Sequence, residues 1–235
     1  MRLDDADFVR RQYASTDRLE TRMAVWRPAA DGRTPQDVAL AALAAVKPAS
    51  LLEVGSGTGA FAARCANELG CHVVALDASA DMVAASRRRG VEAVLGDVQN
   101  LPFHEASFDA AVAAWMLYHV ADRDRALAEL ARVLRPAGRL VAITNGRRGL
   151  AELYELAGGE RLDSSFSSEN GGEQLERHFA RVERVDLEPT AHFADRDAAA
   201  TYLRTLGRDE LADRLPELHE PLVARGHTTV FVADA

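Results

Sequence analysis

Cysteine is scarce, with Cys65 and Cys71 the only two among 235 residues. Two thiols lack the second pair of ligands that a structural zinc site needs, so they are expected to be reduced and structural. Long apolar runs are missing as well. No segment approaches the ~20 consecutive apolar residues of a membrane span, and Met1 to Arg11 is charged, without the apolar core of a signal peptide. A soluble, cytoplasmic protein with no membrane partner is the expectation. Positive charge is in deficit: 28 Lys and Arg face 36 Asp and Glu, a formal net charge of -8. Nucleic acids and anionic membranes are bound through dense positive charge, so neither is an expected partner. The densest basic cluster, Arg87-Arg88-Arg89, ends a predicted helix, where cations suit the helix dipole. No His and carboxylate cluster has metal-ligand spacing, and no metal is implied.

What is present is a glycine run. Leu51-Leu52-Glu53-Val54-Gly55-Ser56-Gly57-Thr58-Gly59 reads as an apolar strand, an acidic residue and three alternating glycines, before a helical segment over 60–69. Glycines so placed let the chain turn sharply and bring a ligand against the main chain. The rest of the middle of the chain alternates. Strands are predicted at 71–76, 91–95, 108–114 and 139–144, with helices at 80–89 and 123–134 between them. Such alternation predicts an α/β protein with a doubly wound, mostly parallel sheet. Before it, residues 1 to about 30 read as a polar helical segment and 36–46 as a helix. After it come a Gly/Ser-rich loop at 158–172, a short helix at 174–179, and helices at 197–206 and 208–223. Late strands at 181–187 and 228–232 read as an antiparallel edge.

Ligands of open α/β sheets sit beyond the carboxyl ends of the strands. That rule selects Glu53 to Gly59, Asp77, Asp97, Trp115 to His119 and Thr144 to Gly146. Gly55, Gly57 and Ala60 also satisfy the G-x-G-x-x-G/A dinucleotide pattern, so the glycines alone do not name the cofactor. Asp77, at the end of the second strand, suits a ribose diol because an ionised carboxylate only accepts; it would equally cap the helix that starts near Ser79.

Five blocks in order resolve this. Glu53-x-Gly55-x-Gly57-x-Gly59, Ala75-Leu76-Asp77-x-Ser79, Gly96-Asp97-Val98-x-x-Leu101-Pro102-Phe103, Phe108-Asp109, and Val133-Leu134-Arg135-Pro136-x-Gly138-Arg139-Leu140 together resemble the class I S-adenosylmethionine-dependent methyltransferases. The nearest branch is the one acting on small molecules, which includes the quinone-biosynthesis enzymes. The resemblance covers roughly residues 48 to 146, and departs at Ala137, where many relatives carry a second glycine. It implies a Rossmann-like seven-stranded sheet in one domain. Its parts would be an N-terminal helical lid over 1–47, a cofactor core over 48–146, and a C-terminal part over 147–235 with a substrate-side insertion at about 189–226.

For the cofactor, S-adenosylmethionine, the resemblance implies contacts from Gly55, Gly57 and Gly59 to its methionine and ribose. Glu53 would lie near its ammonium end, Asp77 with the neighbouring Ala78 at the ribose, Asp97 and the Val98 amide at the adenine, and Trp115 at the methionine. Tyr13 and Arg22 of the N-terminal segment would close over the site, Arg22 pairing with the cofactor carboxylate; packing on an amphipathic helix explains them as well. Glu53 and Asp109 also read as strand-end structural residues, Asp97 as a turn residue, and Trp26 as a lid-packing residue or a substrate platform.

Methyl transfer is an in-line displacement that asks the protein to align nucleophile and methyl and to exclude water. His119, beside Tyr118, is placed to remove a proton from the acceptor, and a structural imidazole is the other reading of it. Trp26, Trp115, Met116 and Tyr118 favour a hydrophobic or aromatic small-molecule acceptor. The expected protein is a monomer or homodimer. A cofactor-binding partner or sensor without catalysis, methylation of a peptide, and a nicotinamide dehydrogenase are the competing readings.

Overall fold

The computed structural model describes residues 4–5, 16–160 and 163–235. In chain order the first half comprises α1 (Thr16–Ala24), β1 (Trp26–Arg27), α2 (Pro35–Ala44), β2 (Ser50–Val54), α3 (Ala60–Leu69), β3 (His72–Asp77), α4 (Ala80–Arg88), β4 (Glu92–Leu95), β5 (Phe108–Ala114), a 3-10 turn (Leu117–His119) and α5 (Arg123–Val133). The second half comprises β6 (Leu134–Asn145), α6 (Ala151–Leu156), α7 (Gly171–Leu175), β7 (Arg181–Leu187), β8 (Thr190–Phe193), α8 (Arg196–Thr205), α9 (Asp209–Arg214), β9 (Leu222–Arg225) and β10 (Thr228–Asp234).

Seven strands form one sheet in the order β4-β3-β2-β5-β6-β10-β7. The five strands from β4 to β6 are parallel, and β10 runs antiparallel between β6 and β7. The antiparallel edge expected from the late strands is therefore a pair, with β10 inside and β7 outermost. The central strands are apolar on both faces because both are covered. Leu51, Val73, Ala75, Ala110 and Val112 pack with α2, α3 and α4, whereas Leu52, Val54, Leu76, Ala111 and Ala113 pack with α5, Phe166 and Phe231. Each fully buried leucine or phenylalanine contributes roughly 1.5–3 kcal/mol.

Polar residues set where helices begin. Thr34 and Asp37 form a reciprocal capping box ahead of Pro35 in α2. Ser79, Asp122 and Asp195 cap α4, α5 and α8 by accepting backbone amides.

A second layer lies outside the large sheet. β8 pairs antiparallel with both β1 and β9, and this three-stranded sheet shares a core with α6, α8 and α9 through Tyr154, Phe193, Tyr202 and Leu211. Helix α1 packs against α8. Two expectations are corrected by this layer. Trp26 and Arg27, read as part of the polar helical segment, are strand, paired with Ala191 and Thr190. The helix expected over 208–223 stops at Arg214, because Pro216 and Pro221 cannot continue it, and Leu222–Arg225 is strand. Two shorter differences concern ends: β6 begins at Leu134, through Pro136 and Ala137, instead of at Arg139, and the short helix expected at 174–179 is α7, over Gly171–Leu175.

The outer layer enters and leaves the large sheet at neighbouring positions. Leu187, the last residue of β7, is paired directly with Thr228, the first of β10.

Candidate functional site

Glu53 ends β2, and the chain then turns through Gly55, Gly57 and Gly59 at φ +64°, +55° and +73°. Two of these glycines also meet neighbours that leave no room for a side chain. A Cβ on Gly55 would stand 2.7 Å from Met116 Cβ, and one on Gly59 would stand 2.5 Å from Ser86 Oγ and 2.8 Å from Ser86 Cα. The loop is tied down at three points. The Ser56 amide donates to Leu76 O at 3.2 Å, the Gly57 amide to Asp77 Oδ2 at 2.8 Å, and the Ser86 hydroxyl to Gly57 O at 3.2 Å. The Gly59 amide is also used internally, on Ser56 O at 2.9 Å. A pyrophosphate cradle needs such amides free to face its ligand. Here three of them are consumed, which weighs against a dinucleotide.

The acidic residues sit around this loop. Glu53 is 3% exposed, and its Oε2 is buried without a partner among the described residues. Burial pushes its carboxyl up to about 8, against the Ala62 amide that it accepts, with the negative charge of Asp77 adding to the rise. Burial also raises Asp77, which accepts the Ser79 amide at 2.9 Å as well as that of Gly57. Ser79, and not Asp77, caps α4, so the capping alternative for Asp77 falls. Asp97 is exposed and takes the Gln99 amide at 2.9 Å and its side-chain NH2 at 3.0 Å. Gln99 in turn accepts the Asp122 amide at 2.9 Å, tying this turn to the start of α5. Asp109 is a brace. It accepts the Ala49 and Ser50 amides, each at 2.9 Å, and pairs with Arg135.

Beyond β5, Trp115 adopts φ +53°, a conformation that a bulky residue holds only under surrounding constraint. Its amide donates to Ile143 O at 2.8 Å and its indole to Asn145 Oδ1 at 3.2 Å. Tyr118 and His119 follow in the 3-10 turn, their rings edge-on with centroids 4.4 Å apart.

A single cavity of about 1240 Å³ gathers these groups. Its floor includes Glu53, Gly55, Gly57, Asp77 and Ala78; Asp97, Val98, Trp115, Tyr118 and His119 line one side, and Arg22 and Trp26 the other. Gly59 stands behind the loop, not on the lining, with Ser86 against it. Arg22, in α1, donates from Nε to Arg18 O at 3.2 Å. Tyr13 lies outside the described residues. The far wall comes from the outer layer, through Tyr154, Tyr202, Leu206 and Arg208. Ligand pockets commonly measure ~300–1,000 Å³, so this one has space for two small molecules side by side. Sequence reasoning missed Ser86, Gln99 and Arg208, and it reached Asn145 only by its position at a strand end. Gln99 stands at a variable position of a motif and the others in none, and each gains its role from a contact distant in the chain.

Residues 52–142 match a protein family described as a methyltransferase domain. Over those residues the chain is similar to that family, and the match spans the glycine loop, Asp77, Asp97 and Trp115. A demethylmenaquinone methyltransferase of Mycobacterium sp. (strain KMS) is 40% identical to this chain over 108 residues, which are 45% of this chain and 46% of the relative. The chain spans less than half the length of the first curated relatives it matches. Among solved structures, a geranyl diphosphate methyltransferase in complex with SAM superimposes with a TM-score of 0.56 at 16% identity, covering 98% of this chain and 92% of that one. The YcgJ protein of Bacillus subtilis gives a TM-score of 0.61 at 16% identity, covering 85% and 97%. At those identities the likeness is one of fold.

The residues present suit the family's cofactor, a molecule with a sulfonium and an ammonium cation. The donor set at the loop is acidic, a buried Glu53 oxygen lacks a partner among the described residues, and three of the loop amides are already used. A cationic ligand meets that arrangement better than an anionic one.

Proposed function

We propose that this protein is a methyltransferase that moves a methyl group from S-adenosylmethionine to a small organic acceptor held in the same cavity, by in-line displacement. The observation that carries the reading is the cavity itself, acidic at the glycine loop and aromatic and apolar at the outer layer. S-adenosylmethionine, when bound, supplies a methyl group already activated by positive charge on sulfur. The chain's own residues would then position and enclose. Glu53 would face the ammonium end, where a nearby cation would restore its charge. Asp77 keeps a lone pair on each oxygen beyond the two backbone amides it accepts, enough to take the ribose hydroxyls. Asp97 and the Val98 amide would hold the adenine, and Trp115 the methionine backbone. Arg22, at the opposite wall, would pair with the carboxylate, and α1 with β1 would act as the lid that keeps water out.

Where the acceptor is a hydroxyl or amine, His119 is placed to take its proton, with Tyr118 fixing the imidazole plane. Trp26, Trp115, Met116, Tyr154 and Tyr202 line the space beside it, which favours an aromatic or apolar acceptor body. Calorimetry with S-adenosylmethionine and with NAD tests the cofactor; binding of NAD in preference would refute the reading. Release of S-adenosylhomocysteine with a panel of small aromatic acceptors tests the activity. Cofactor binding with no release from any of them would favour a non-catalytic sensor. His119→Ala should lower turnover tenfold or more at neutral pH and leave cofactor affinity within twofold; unchanged turnover would remove His119 from the chemistry.

A further inference from the structure

Arg208 is a cavity-lining cation that meets an aromatic ring and no carboxylate among the described residues. Arg132, Arg139, Arg204 and Arg225 each lie within 2.8 Å of a carboxylate oxygen, whereas the cavity-lining Arg27 and Arg89 donate to backbone carbonyls. The Nη2 of Arg208 donates to Glu160 O at 2.9 Å, its guanidinium lies over the Tyr154 ring at 5.8 Å, and its Nη1 is buried without an acceptor among the described residues. Arg208, Tyr154, Tyr202, Leu206 and Ser164 all line the cavity, and Tyr154, Tyr202 and Leu206 share one core cluster. One side of the fork is thus fixed by the backbone and one face by an aromatic ring. A buried N–H left unmade is costly, more so on a charged group, and arginine is suited to bidentate anions by its planar fork.

We propose that Arg208 is the recognition residue for an anionic group on the acceptor, a carboxylate or a phosphate, carried on an aromatic or apolar body that packs against Tyr154, Tyr202 and Leu206. The inference rests on the reading of the cavity as a methyl-transfer site and adds the acceptor's charge. The acidic cofactor end and the basic acceptor end then sort the two ligands. A cationic cofactor is repelled from Arg208, and an anionic acceptor from Glu53 and Asp77. Arg208 positions the acceptor and takes no part in bond making.

Both tryptophans of the chain, Trp26 and Trp115, line the cavity, so indole fluorescence reads its occupancy directly. The test titrates trans-cinnamate, its neutral amide and phenyl phosphate into protein saturated with S-adenosylhomocysteine. Wild type is expected to bind an anionic probe at least tenfold more tightly than the amide, and the tighter of cinnamate and phenyl phosphate names the group. Arg208→Gln should abolish that preference while the amide's affinity moves less than twofold, and Arg208→Lys should restore part of it. Cofactor affinity, measured by calorimetry on each variant, should stay within twofold of wild type and serves as the control for folding. Equal binding of amide and anions by wild type, no binding of either anion, or an equal loss of all probes in Arg208→Gln would overturn the proposal. Failure of the wild type to bind S-adenosylmethionine would instead overturn the methyl-transfer reading.

Discussion

Replacing Glu53 by glutamine should make the protein more stable, and increasingly so as pH rises. The folded carboxyl titrates at about 8 against an ordinary value of 4.5. A group raised in the folded state contributes most below the ordinary value, and that contribution drains away as pH climbs through the folded one. Between pH 4.5 and about 8 the unfolded chain has lost the Glu53 proton while the folded chain retains it, so every unit of pH favours unfolding. At ~1.36 kcal/mol per pH unit the gap amounts to roughly 5 kcal/mol, a large share of the 5–15 kcal/mol that holds a typical domain together. Glutamine cannot ionise and removes the whole dependence. Urea unfolding of wild type and Glu53→Gln at pH 5, 7 and 9, without cofactor, measures it. The difference should be near zero at pH 5 and exceed about 2 kcal/mol in the variant's favour at pH 9. A difference that stays flat across this range would show that Glu53 is ionised and solvated in the folded protein, and the account of its burial would be wrong. The same variant should bind S-adenosylmethionine at least tenfold more weakly at pH 7, since it offers the ammonium no charge.

Three further substitutions probe the frame around the site. Gly59→Ala should destabilise by about 2–4 kcal/mol in thermal or urea unfolding, from positive φ and the Ser86 clash combined; Ser86→Ala should not rescue it, because Ser86 Cα is itself 2.8 Å away. Ala137→Gly should stabilise by about 1 kcal/mol, as Ala137 sits at φ +62°, where glycine is free of the Cβ penalty; a loss of stability would mean that the turn gains nothing from relief of strain. Asp109→Ala should lower stability by about 2 kcal/mol through the Ala49 and Ser50 amides it strands, yet leave cofactor affinity within threefold. A tenfold loss of affinity would make Asp109 part of the site.

The large sheet was legible because its strands and helices are long enough to declare a period, and because apolar runs such as Leu51–Val54 and Ala110–Ala114 mark strands covered on both faces. The outer layer was not. β1 has two residues and β9 four, too few for alternation to register, and Leu211, Leu215, Leu218 and Leu222 mimic a helical stripe across two prolines. The same division runs through the site. Glycines and strand-end carboxylates carry their meaning in their own sequence neighbourhood, so the loop and its acidic ring were readable. Ser86 matters only because α4 carries it beneath Gly57, and Arg208 only because α6 brings Tyr154 under it. Contacts of that kind leave no trace in spacing.

The pairing of Leu187 with Thr228 makes the segment between them an insertion as far as the large sheet is concerned, tied to the rest through β1, α1 and α6. Two strands that are hydrogen-bond neighbours at this point need no more than a tight turn to join them, and such a splice would leave the seven-stranded register as it is. Tyr202, Leu206 and Arg208 of the cavity wall hang from that splice point, while the glycine loop belongs to strands at the far side of β6. In the proposed reading, part of acceptor choice therefore rides on a piece of chain separate from cofactor choice. Exchanging residues 188–227 between relatives, or shortening them to a hairpin, should transplant or delete the one without re-engineering the other.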